Sequence, residues 1–359
     1  MDIADPATPE VSVIVPARNE EVCLGDCLQS LVGQDGVALE TIVVDDESTD
    51  RTREIAESFT GVRVISPGPL PAGWTGKNNA VIAGAKMARG EWLLFTDADT
   101  VHVAGSLARA LAEAKEHGAE MLSYSPEQIG VTFWERAVMP VVFAELAAEY
   151  PPARVRDQSS GVVAANGQYI LVRRVAYESV GGHTAVADQI LEDVALARAF
   201  RAAGQKVYFR YGGDAVRTRM YRSWGELREG WTKNLALLLP WPRWRATWVA
   251  VWWALAWVTF CLGLASIAVG YWRTAYYVLP AVFLYLRIAR ANFRAGTNLI
   301  AAAIGVPVFA YLLLRSNSSH SSGGVSWKGR TYSGASQTEE RESSRPSGTR
   351  AKAALGTRH

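Results

Sequence analysis

The chain has 359 residues and a mass of 39.1 kDa, and 49% of its residues are hydrophobic, which is enough for one large domain with an accessory region and excludes disorder throughout. Its 37 basic and 35 acidic residues leave a net charge of +2, so the overall charge does not indicate a protein that wraps nucleic acid. The distribution is uneven, because nine of the 13 tryptophans lie between Trp224 and Trp272 and no acidic residue lies between Glu229 and Glu339. The second half is therefore predicted to contact a different solvent from the first.

The N-terminal extension, residues 1–10, has neither the basic stretch nor the apolar run of a signal peptide, so none is expected there. Three cysteines are too few for a disulfide framework, and Cys23 and Cys27 lie one helical turn apart. We expect them to be reduced and structural.

From residue 11 to about residue 210, short β-branched runs alternate with helical patterns, which is typical of βαβ units around a mostly parallel sheet. The predicted strands are 11–16, 39–45, 62–66 and 92–96, and the predicted helices between them include 19–33 and 78–90. Acidic clusters follow the second and fourth strands directly, at 45–47 and 97–99. Because ligands of open α/β sheets collect outside the carboxyl ends of the strands, a site is expected at this edge.

Residues 131–150 form a predicted helix that is apolar on most of its surface. It contains Glu135, Arg136, Glu145 and Glu149, which disfavour a membrane crossing. An interfacial helix is the favoured interpretation, and a buried core helix of the α/β domain is the alternative.

Residues 236–315 are predicted to be a membrane region. Its segment 249–270 has 22 residues without a charge, about 33 Å as a helix, which matches the hydrocarbon thickness of a bilayer. Segment 275–286 is short and ends near three arginines, and segment 298–314 is interrupted by Gly-Val-Pro at 305–307. We expect two crossings, with the third segment re-entrant, interfacial or itself a crossing.

The arginines indicate the orientation, since basic residues favour the cytoplasmic side. Arg243 and Arg245 precede the first span, Arg273 alone follows it, and Arg287, Arg290 and Arg294 follow the second segment. A multi-pass protein of the cell (inner) membrane with residues 11–235 in the cytoplasm is expected. The tail, 316–359, is basic and predicted to be mostly disordered, except for an apolar and basic island around WKGRTY.

Several catalytic motifs are absent from the sequence. There is no GxGxxG after the first strand and no GxxxxGK[ST], which disfavours a dinucleotide dehydrogenase and a P-loop NTPase. HExxH, paired CxxC and GxSxG are also absent, which disfavours a zinc protease and an α/β-hydrolase. The chemistry is therefore expected to come from carboxylates.

Two acidic clusters are the candidates. Asp97 and Asp99 lie on the same side of an extended segment and can hold Mg²⁺ or Mn²⁺ against substrate phosphates, although a solvated turn is the alternative for so short a pattern. Asp45 and Asp46 can accept hydrogen bonds from the base and ribose of a nucleotide, or simply cap a helix that begins near Ser48.

Six sequence motifs taken together indicate a family more specifically than any one of them does. VSVIVPARNEE, VVDDEST, PAGWTGKNNA, LLFTDADT, GGH and ILEDVAL follow one another in the order and spacing that resemble glycosyltransferase family 2, over residues 11–235. The resemblance implies an α/β domain of the GT-A fold, a nucleotide-diphosphate sugar as donor, expected to be a UDP-sugar, a divalent metal and inverting transfer. The GWTGKNNA loop, the EGWTKN segment and the WKGRTY island resemble membrane-bound enzymes that act on terpenoid or sphingoid lipids, including carotenoid- and hopanoid-associated glycosyltransferases and ceramide glucosyltransferases.

Site residues follow from the resemblance. Asp97 and Asp99 are assigned to the metal and sugar phosphate, and Asp193 matches the general base, with Glu192 the adjacent candidate. A pair of acids at a helix N-terminus is the alternative for these two. The residues assigned to the donor are Pro16, Ala17, Arg18, Glu20, Asp45, Asp46, Lys77 and Asp97.

The sequence departs from the family at one place. Polysaccharide synthases of the family carry an arginine directly before a tryptophan, whereas here Gly230 precedes Trp231, which disfavours a processive polymer synthase. Trp231 is expected to be an acceptor platform or a membrane-interface tryptophan. Further candidates to bind the acceptor or the diphosphate are Arg219, Arg222, Arg228 and His183, with a structural histidine as the alternative for His183. Lys328 and Arg330 join them if the tail folds back onto the domain, and the alternative is a solvated basic tail.

The sequence thus predicts a membrane-anchored inverting glycosyltransferase that moves a sugar to a lipid hydroxyl at the cytoplasmic face, with no nucleic-acid partner. One alternative is a non-catalytic nucleotide-sugar-binding scaffold of a lipid-biosynthesis complex, and a polysaccharide-type synthase is another. A sugar nucleotidyltransferase is disfavoured because VPARNEE lacks the glycine-rich first loop expected there.

Overall fold

The structure, a computed structural model, describes residues 8–322, 324–327 and 330–332. The strands of its N-terminal part are β1 (Val11–Ala17), β2 (Leu39–Asp45), β3 (Val62–Ile65), β4 (Trp92–Phe95), β5 (Thr100–His102), β6 (Met121–Ser125), β7 (Glu127–Gln128), β8 (Ile170–Arg173), β9 (Val207–Tyr211) and β10 (Val216–Thr218). The helices there are α1 (Leu24–Val32), α2 (Thr52–Glu57), α3 (Gly76–Met87), α4 (Ser106–Glu116), α5 (Phe133–Glu149), α6 (Pro152–Arg156), α7 (Arg174–Ser179), a 3₁₀ turn (Gly182–Val186) and α8 (Glu192–Ala202).

Seven strands form one mixed sheet in the order β3-β2-β1-β4-β8-β6-β9, and β5, β10 and β7 form a small second sheet. In the large sheet only β8 runs antiparallel to its neighbours. The predicted α/β class with a mostly parallel sheet is confirmed, and each of the first four strands ends within one residue of its predicted bounds. Helix α1 begins later than predicted because Asn19, with a φ of 53°, cannot be helical.

Both faces of the sheet are covered, which explains the continuous apolar run of β1. Successive side chains of a strand point to opposite faces, so Val13 and Val15 pack in the core with Leu28 of α1, whereas Ile14 packs with Phe200 of α8 on the other side. All of these side chains are fully buried. The sheet therefore gives a rigid edge on which loops can be held.

The C-terminal part is helical. Its elements are α9 (Trp224–Leu238), α10 (Pro242–Ala268), a 3₁₀ turn (Trp272–Val278), α11 (Leu279–Ala289), α12 (Ala295–Ile300), a π turn (Ala301–Gly305), α13 (Val306–Ser321), and the strands β11 (Val325–Trp327) and β12 (Arg330–Tyr332). Helices α12 and α13 run on through the π turn as one continuous helix of 27 residues. The interruption expected at 305–307 is thus only a local widening, because the π turn accommodates the proline that starts α13.

Two helices are long and apolar enough to cross a membrane, Pro242–Ala268 and Ala295–Ser321, and a shorter apolar helix spans Thr274–Ala289. The first has 11% of its most apolar window buried and the second 50%. Crossings are predicted in the segments 249–270 and 275–286, whereas the two helices of spanning length contain most of the segment 249–270 and all of the segment 298–314. The number of crossings and their orientation stay predictions.

Helix α5 packs against α9, α11, α13 and the π turn rather than in the core of the sheet. Its Glu145, 4% exposed, is bound by Arg245 of α10 and Arg287 of α11. Arg287, which follows the second apolar segment, thus neutralises an acid of α5. The charges on α5 that argued against a crossing therefore join this helix to α10 and α11.

Two tryptophans of α10 bind the π turn directly. The Trp253 indole donates to the carbonyls of Ala302 and Ala303 at 3.0 and 3.2 Å, and the Trp257 indole donates to Ala302 at 3.1 Å. In a π turn the normal helical hydrogen-bond ladder is disturbed, so side-chain donors can satisfy its carbonyls. Tryptophans that composition alone would assign to the lipid interface thus hold two helices together.

Gly305 gives a test of this packing. A Cβ added at Gly305 would lie 1.8 Å from the carbonyl oxygen of Ala137 in α5, so a Gly305→Ala protein should lose several degrees of thermal stability or fail to accumulate. The matched control is Gly296→Ala in α12, where a Cβ would meet nothing within 4 Å and better helix propensity is expected to leave stability equal or higher. Thermal unfolding of both detergent-solubilised variants measures the difference, and equal midpoints would contradict the described contact.

Candidate active site

A cleft of about 570 Å³ begins at the carboxyl ends of β1 and β4 and extends to α5 and α9. Strands β2, β1 and β4 are adjacent and parallel, so their carboxyl ends and the following loops meet at one edge. The acidic clusters that follow β2 and β4 in sequence are thereby brought together with the loop after β1. The cleft thus lies at the sheet edge where a site is predicted from the sequence.

The loop after β1 lines one end of the cleft. Pro16, Ala17, Arg18 and Glu20 all contribute, as does Asp46. The Arg18 guanidinium donates to the backbone carbonyl of Asp46 at 2.8 Å, which fixes the loop after β1 to the loop after β2. These predicted donor residues are therefore close together.

The two aspartates that end β2 have different environments. Asp46 lines the cleft, whereas the Asp45 carboxylate accepts from the Ser48 amide at 3.2 Å and lies 3.5 Å from the Arg53 guanidinium. Asp45 is outside the lining and stabilises the turn into α2. Of the alternatives left open by the sequence, the structure brings Asp46 to the cleft.

Lys77 lies at the centre of the charged part. Its ammonium is 2.8 Å from an Asp97 oxygen and 2.8 Å from a Glu192 oxygen, so it joins the end of β4 to the first turn of α8. Thr75 caps the N-terminus of α3 by accepting from the Asn78 amide at 3.2 Å, which places Lys77 in the first turn of that helix. The lysine predicted to approach a diphosphate is thus held between two carboxylates.

The pKa values of the neighbours Glu192 and Asp193 are shifted in opposite directions. Burial alone would raise the pKa of Glu192, but the ammonium groups of Lys77 and Lys233 outweigh it and lower that pKa. Burial and the Glu192 charge raise the pKa of Asp193, although its oxygens accept from the backbone amides of Gly167 at 2.9 Å and Val194 at 2.8 Å. Glu192 is therefore an ion-pair partner, and Asp193 is the carboxylate with the greater proton affinity.

Asp97 and Asp99 flank Ala98 in the sequence, and both side chains line the cleft. Among the described residues, no group of three or more His, Cys, Asp and Glu is arranged to hold a metal ion. Two carboxylates fit a hard divalent cation whose other ligands are phosphate oxygens and water, which is the usual arrangement for Mg²⁺. The donor set is thus compatible with the metal that the resemblance implied.

Helix α9 supplies the opposite wall. Trp231 is buried with its ring edge-on to Phe143 and Tyr221, and its indole N–H makes no hydrogen bond with the described residues. Arg222 also lines this wall, whereas the exposed Arg228 does not. Of these predicted candidates, Trp231 and Arg222 reach the cleft.

Arg219 lines the cleft with its charge already compensated. Its guanidinium donates to both oxygens of the buried Glu135 carboxylate at 2.9 and 3.2 Å. Such a two-point ion pair fixes the arginine in place and leaves little charge for a ligand.

His183 lies behind the cleft rather than on it. The ring is 2% exposed, its Nδ1 is 3.0 Å from the Tyr177 hydroxyl, and it packs edge-on against Phe95. Burial lowers the pKa of His183 to about 4, so the ring is neutral. These contacts favour the structural alternative for His183.

The island of the tail forms an antiparallel hairpin of β11 and β12, and β11 lies beside α9. Arg330 is the first residue of β12, while Lys328 lies outside the described residues. The tail therefore does return to the helix that forms one wall of the cleft, but a role for Lys328 and Arg330 stays a prediction.

Several lining residues of the cleft were not predicted from the sequence; the charged or polar ones are Asn19, Asn166, Gln168, Tyr221, Glu226, Glu229, Lys233 and Asn234. Lys233 and Asn234 directly follow Trp231 and Thr232, and the 3.6-residue period of a helix could have assigned one of them to the same wall. The apolar residues Phe143 and Leu146 come from α5, and only the tertiary packing of that helix brings them to the cleft.

Residues 12–181 match the family model described as glycosyl transferase family 2. The 4,4'-diaponeurosporenoate glycosyltransferase of Staphylococcus aureus strain MRSA252 is 28% identical over 338 residues, which cover 90% of this chain and 88% of the relative. The solved mannosyltransferase PcManGT from Pyrobaculum calidifontis, in complex with GDP-Man and Mn²⁺, shares 18% identity with a TM-score of 0.47 over 88% of each chain. The family match, together with the mixed sheet, confirms the predicted GT-A fold class.

The opposite pKa shifts of the two acids predict opposite effects of pH on stability. Asp193, whose pKa is raised, stabilises the fold at low pH, and this contribution is lost as pH rises through the folded pKa. Glu192, whose pKa is lowered, stabilises the fold above its unfolded value of about 4.3 and loses this contribution as pH falls. Between pH 3.5 and 7.5, the melting temperature of Asp193→Asn relative to the unaltered protein should therefore rise, and that of Glu192→Gln should fall. Parallel trends in the two variants would contradict the assignment.

Proposed function

We propose, on the premise that residues 12–181 form a glycosyltransferase family 2 domain, that this protein transfers a sugar from a nucleoside-diphosphate donor to a membrane lipid. The observation that carries the proposal is the composition of the single cleft. Its sheet end holds the carboxylates and Lys77, and its other end is lined by apolar side chains of α5 and α9, including Phe143, Leu146 and Leu238. A polar donor and an apolar acceptor can thus meet within one cleft.

The donor is proposed to bind at the sheet end. Asp46 can accept from the base or ribose, and the loop Pro16 to Glu20 lies beside it. A UDP-sugar is the first candidate, by the resemblance given above. Lys77 lies where the diphosphate would follow, at the N-terminus of α3, whose backbone N–H groups favour anions.

Asp97 and Asp99 are proposed to hold Mg²⁺ or Mn²⁺ together with the diphosphate. When bound, such an ion would neutralise charge on the leaving group. The Lys77 ammonium already forms an ion pair with Asp97, so the same carboxylate can orient the ammonium and also coordinate the ion. The pair of carboxylates supports this arrangement through its chemistry and its place in the cleft.

Asp193 is proposed to accept the proton of the acceptor hydroxyl in an inverting transfer. A general base works best with a pKa near the operating pH, and burial moves Asp193 in that direction. Glu192 is less suited because its charge is shared with Lys77. The backbone N–H groups of Gly167 and Val194 donate to the Asp193 carboxylate and fix its orientation without removing its negative charge.

A polyisoprenoid of the carotenoid class is the proposed acceptor, because the Staphylococcus aureus relatives carry the name of a diaponeurosporenoate glycosyltransferase. That name denotes a carboxylate, which offers a second acceptor chemistry beside the lipid hydroxyl. A carboxylate is already ionised at neutral pH and needs no base. The raised pKa of Asp193 favours the hydroxyl.

The cytoplasmic face of the cell membrane is the proposed place of transfer. Arg243 and Arg245 lie in the first turn of α10, and Arg287, Arg290 and Arg294 lie at or after the end of α11, so α10 and the shorter apolar helix Thr274–Ala289 are the proposed crossings. Helix α5 would then lie at the membrane surface, with Phe133 and Trp134 among its exposed side chains.

The proposed function is tested by incubating the detergent-solubilised full-length protein with Mn²⁺, radiolabelled UDP-glucose and membrane lipids extracted from the source cells. Transfer of label into the lipid phase is expected. GDP-mannose and dTDP-glucose run in parallel separate a wrong donor from an inactive protein. Saturable binding of a nucleotide sugar without any transfer would instead favour the non-catalytic scaffold.

Replacing Asp193 distinguishes the acceptor chemistries. With a hydroxyl acceptor, Asp193→Asn should lower kcat by about 10²-fold, the usual effect of losing a general base, while the donor KM changes little. With a carboxylate acceptor, kcat should fall much less, because no proton has to be removed. Steady-state kinetics with a lipid alcohol and the matching lipid acid measure both, and unchanged kcat with the alcohol would refute the base assignment.

Replacing Asp99 tests the metal. Asp99→Asn keeps the size of the side chain and removes a charge, so the Mn²⁺ concentration for half-maximal activity should rise at least about tenfold. Activity at a fixed donor concentration is titrated with Mn²⁺, and Asp188→Asn, an exposed position outside the cleft, serves as the control. Full activity of the unaltered protein in excess chelator would exclude the metal role.

A further inference from the structure

The cations of the cleft differ in how their charge is used. Lys77 is shared by Asp97 and Glu192, and Arg219 is bound at two points by Glu135. Lys233 lines the cleft from α9, whereas Lys77 lines it from α3. Its ammonium lies within electrostatic range of Asp97, Glu192 and Asp193.

The backbone before Trp231 cannot carry a side chain into the cleft. A Cβ added at Gly230 would lie 2.4 Å from the Tyr221 ring, which is itself buried and packs edge-on against Trp231. A cation directly before the tryptophan is therefore sterically excluded. Lys233 lies three residues further along the same helix, about one turn away, where a side chain fits.

The charge balance of the cleft calls for a second cation near the diphosphate. Eight carboxylates line the cleft, against two lysines, Lys77 and Lys233, and three arginines, Arg18, Arg219 and Arg222; the acids are Glu20, Asp46, Asp97, Asp99, Glu192, Asp193, Glu226 and Glu229. A diphosphate leaving group adds negative charge to this acidic region. Further negative charge develops on the phosphate oxygen that was bonded to the sugar as that bond breaks. Two cations held by different helices can bind the group together.

We infer that Lys233 is a further diphosphate-binding residue of the transfer reaction, which pairs with the leaving group together with Lys77. This inference rests on the proposed function and adds a residue of α9 to the proposed donor site. Burial lowers the pKa of Lys233 and the surrounding carboxylates oppose that effect, so an anionic ligand beside the lysine would further favour its charged form.

Lys233 is positioned by the membrane region. The His320 ring of α13 donates to the Lys233 carbonyl at 2.8 Å, and the Ala236 amide donates to the Ser316 hydroxyl at 2.9 Å. The turn of α9 that carries Lys233 is therefore fixed to the last of the C-terminal helices. The donor site would thus be formed jointly by the sheet edge and the membrane helices.

Nucleotide binding to the full-length protein in detergent with Mn²⁺ tests the inference. UDP and UMP are compared, because they differ only in the second phosphate. Lys233→Gln should weaken UDP binding at least about tenfold, as expected for the loss of a charged hydrogen bond, and leave UMP binding within about threefold. Lys233→Arg should recover most of the UDP affinity, and Lys86→Gln, an exposed lysine of α3, should match the unaltered protein.

The UMP measurement also shows that the nucleotide pocket of each variant is folded, and Lys233→Met replaces Lys233→Gln if the glutamine variant does not fold. Equal weakening of UDP and UMP, or no weakening of UDP, would overturn the role of Lys233 and leave the proposed function intact. If the unaltered protein binds none of UDP, GDP and dTDP, the proposed function fails and this inference fails with it.

Discussion

The Lys77 ammonium is the interaction on which the architecture of the cleft depends. Four carboxylates from the end of β4 and the start of α8 face one cavity, and without a central cation their mutual repulsion would separate these elements. Lys77 is itself fixed by α3, where the Asn78 side-chain amide donates to the carbonyls of Val186 and Ala187 at 3.0 Å each. The segment before α8, the strand end and α3 therefore form one connected unit around a single ammonium group.

A second set of charges connects this unit to the helical part. Helix α5 belongs to the first half of the chain by sequence but to the C-terminal helices by packing, and its Glu135 and Glu145 bind Arg219, directly after β10, and Arg245 of α10. Buried ion pairs contribute modestly to stability but strongly specify which partners may pack together. Helices α5 and α9 themselves meet through apolar contacts, among them that of the Phe143 and Trp231 rings, and both residues line the cleft.

Much of the sheet was predictable because local signals and tertiary requirements agree there. The β-branched runs fixed β1 to β4, and their carboxyl ends located Asp97 and Asp99. The roles of Asp45 and His183 were not predictable, because a side chain that anchors a turn or fills a core has the same sequence pattern as one that binds a ligand. The role proposed for Lys233 could not be predicted, because the argument for it depends on the Tyr221 ring that occupies the space beside Gly230.

The bonds from Trp253 and Trp257 to the π turn restrict how the chain length can change. One residue inserted in α10 between Arg245 and Trp253 would rotate both indoles by about 100° relative to the arginine, so the bonds to Ala302 and the ion pair with Glu145 could not form together. The loop around Gly270, between α10 and the following 3₁₀ turn, is not constrained in this way. Across homologues, insertions and deletions should therefore collect in that loop, while the stretch from Arg245 to Trp257 keeps a constant length.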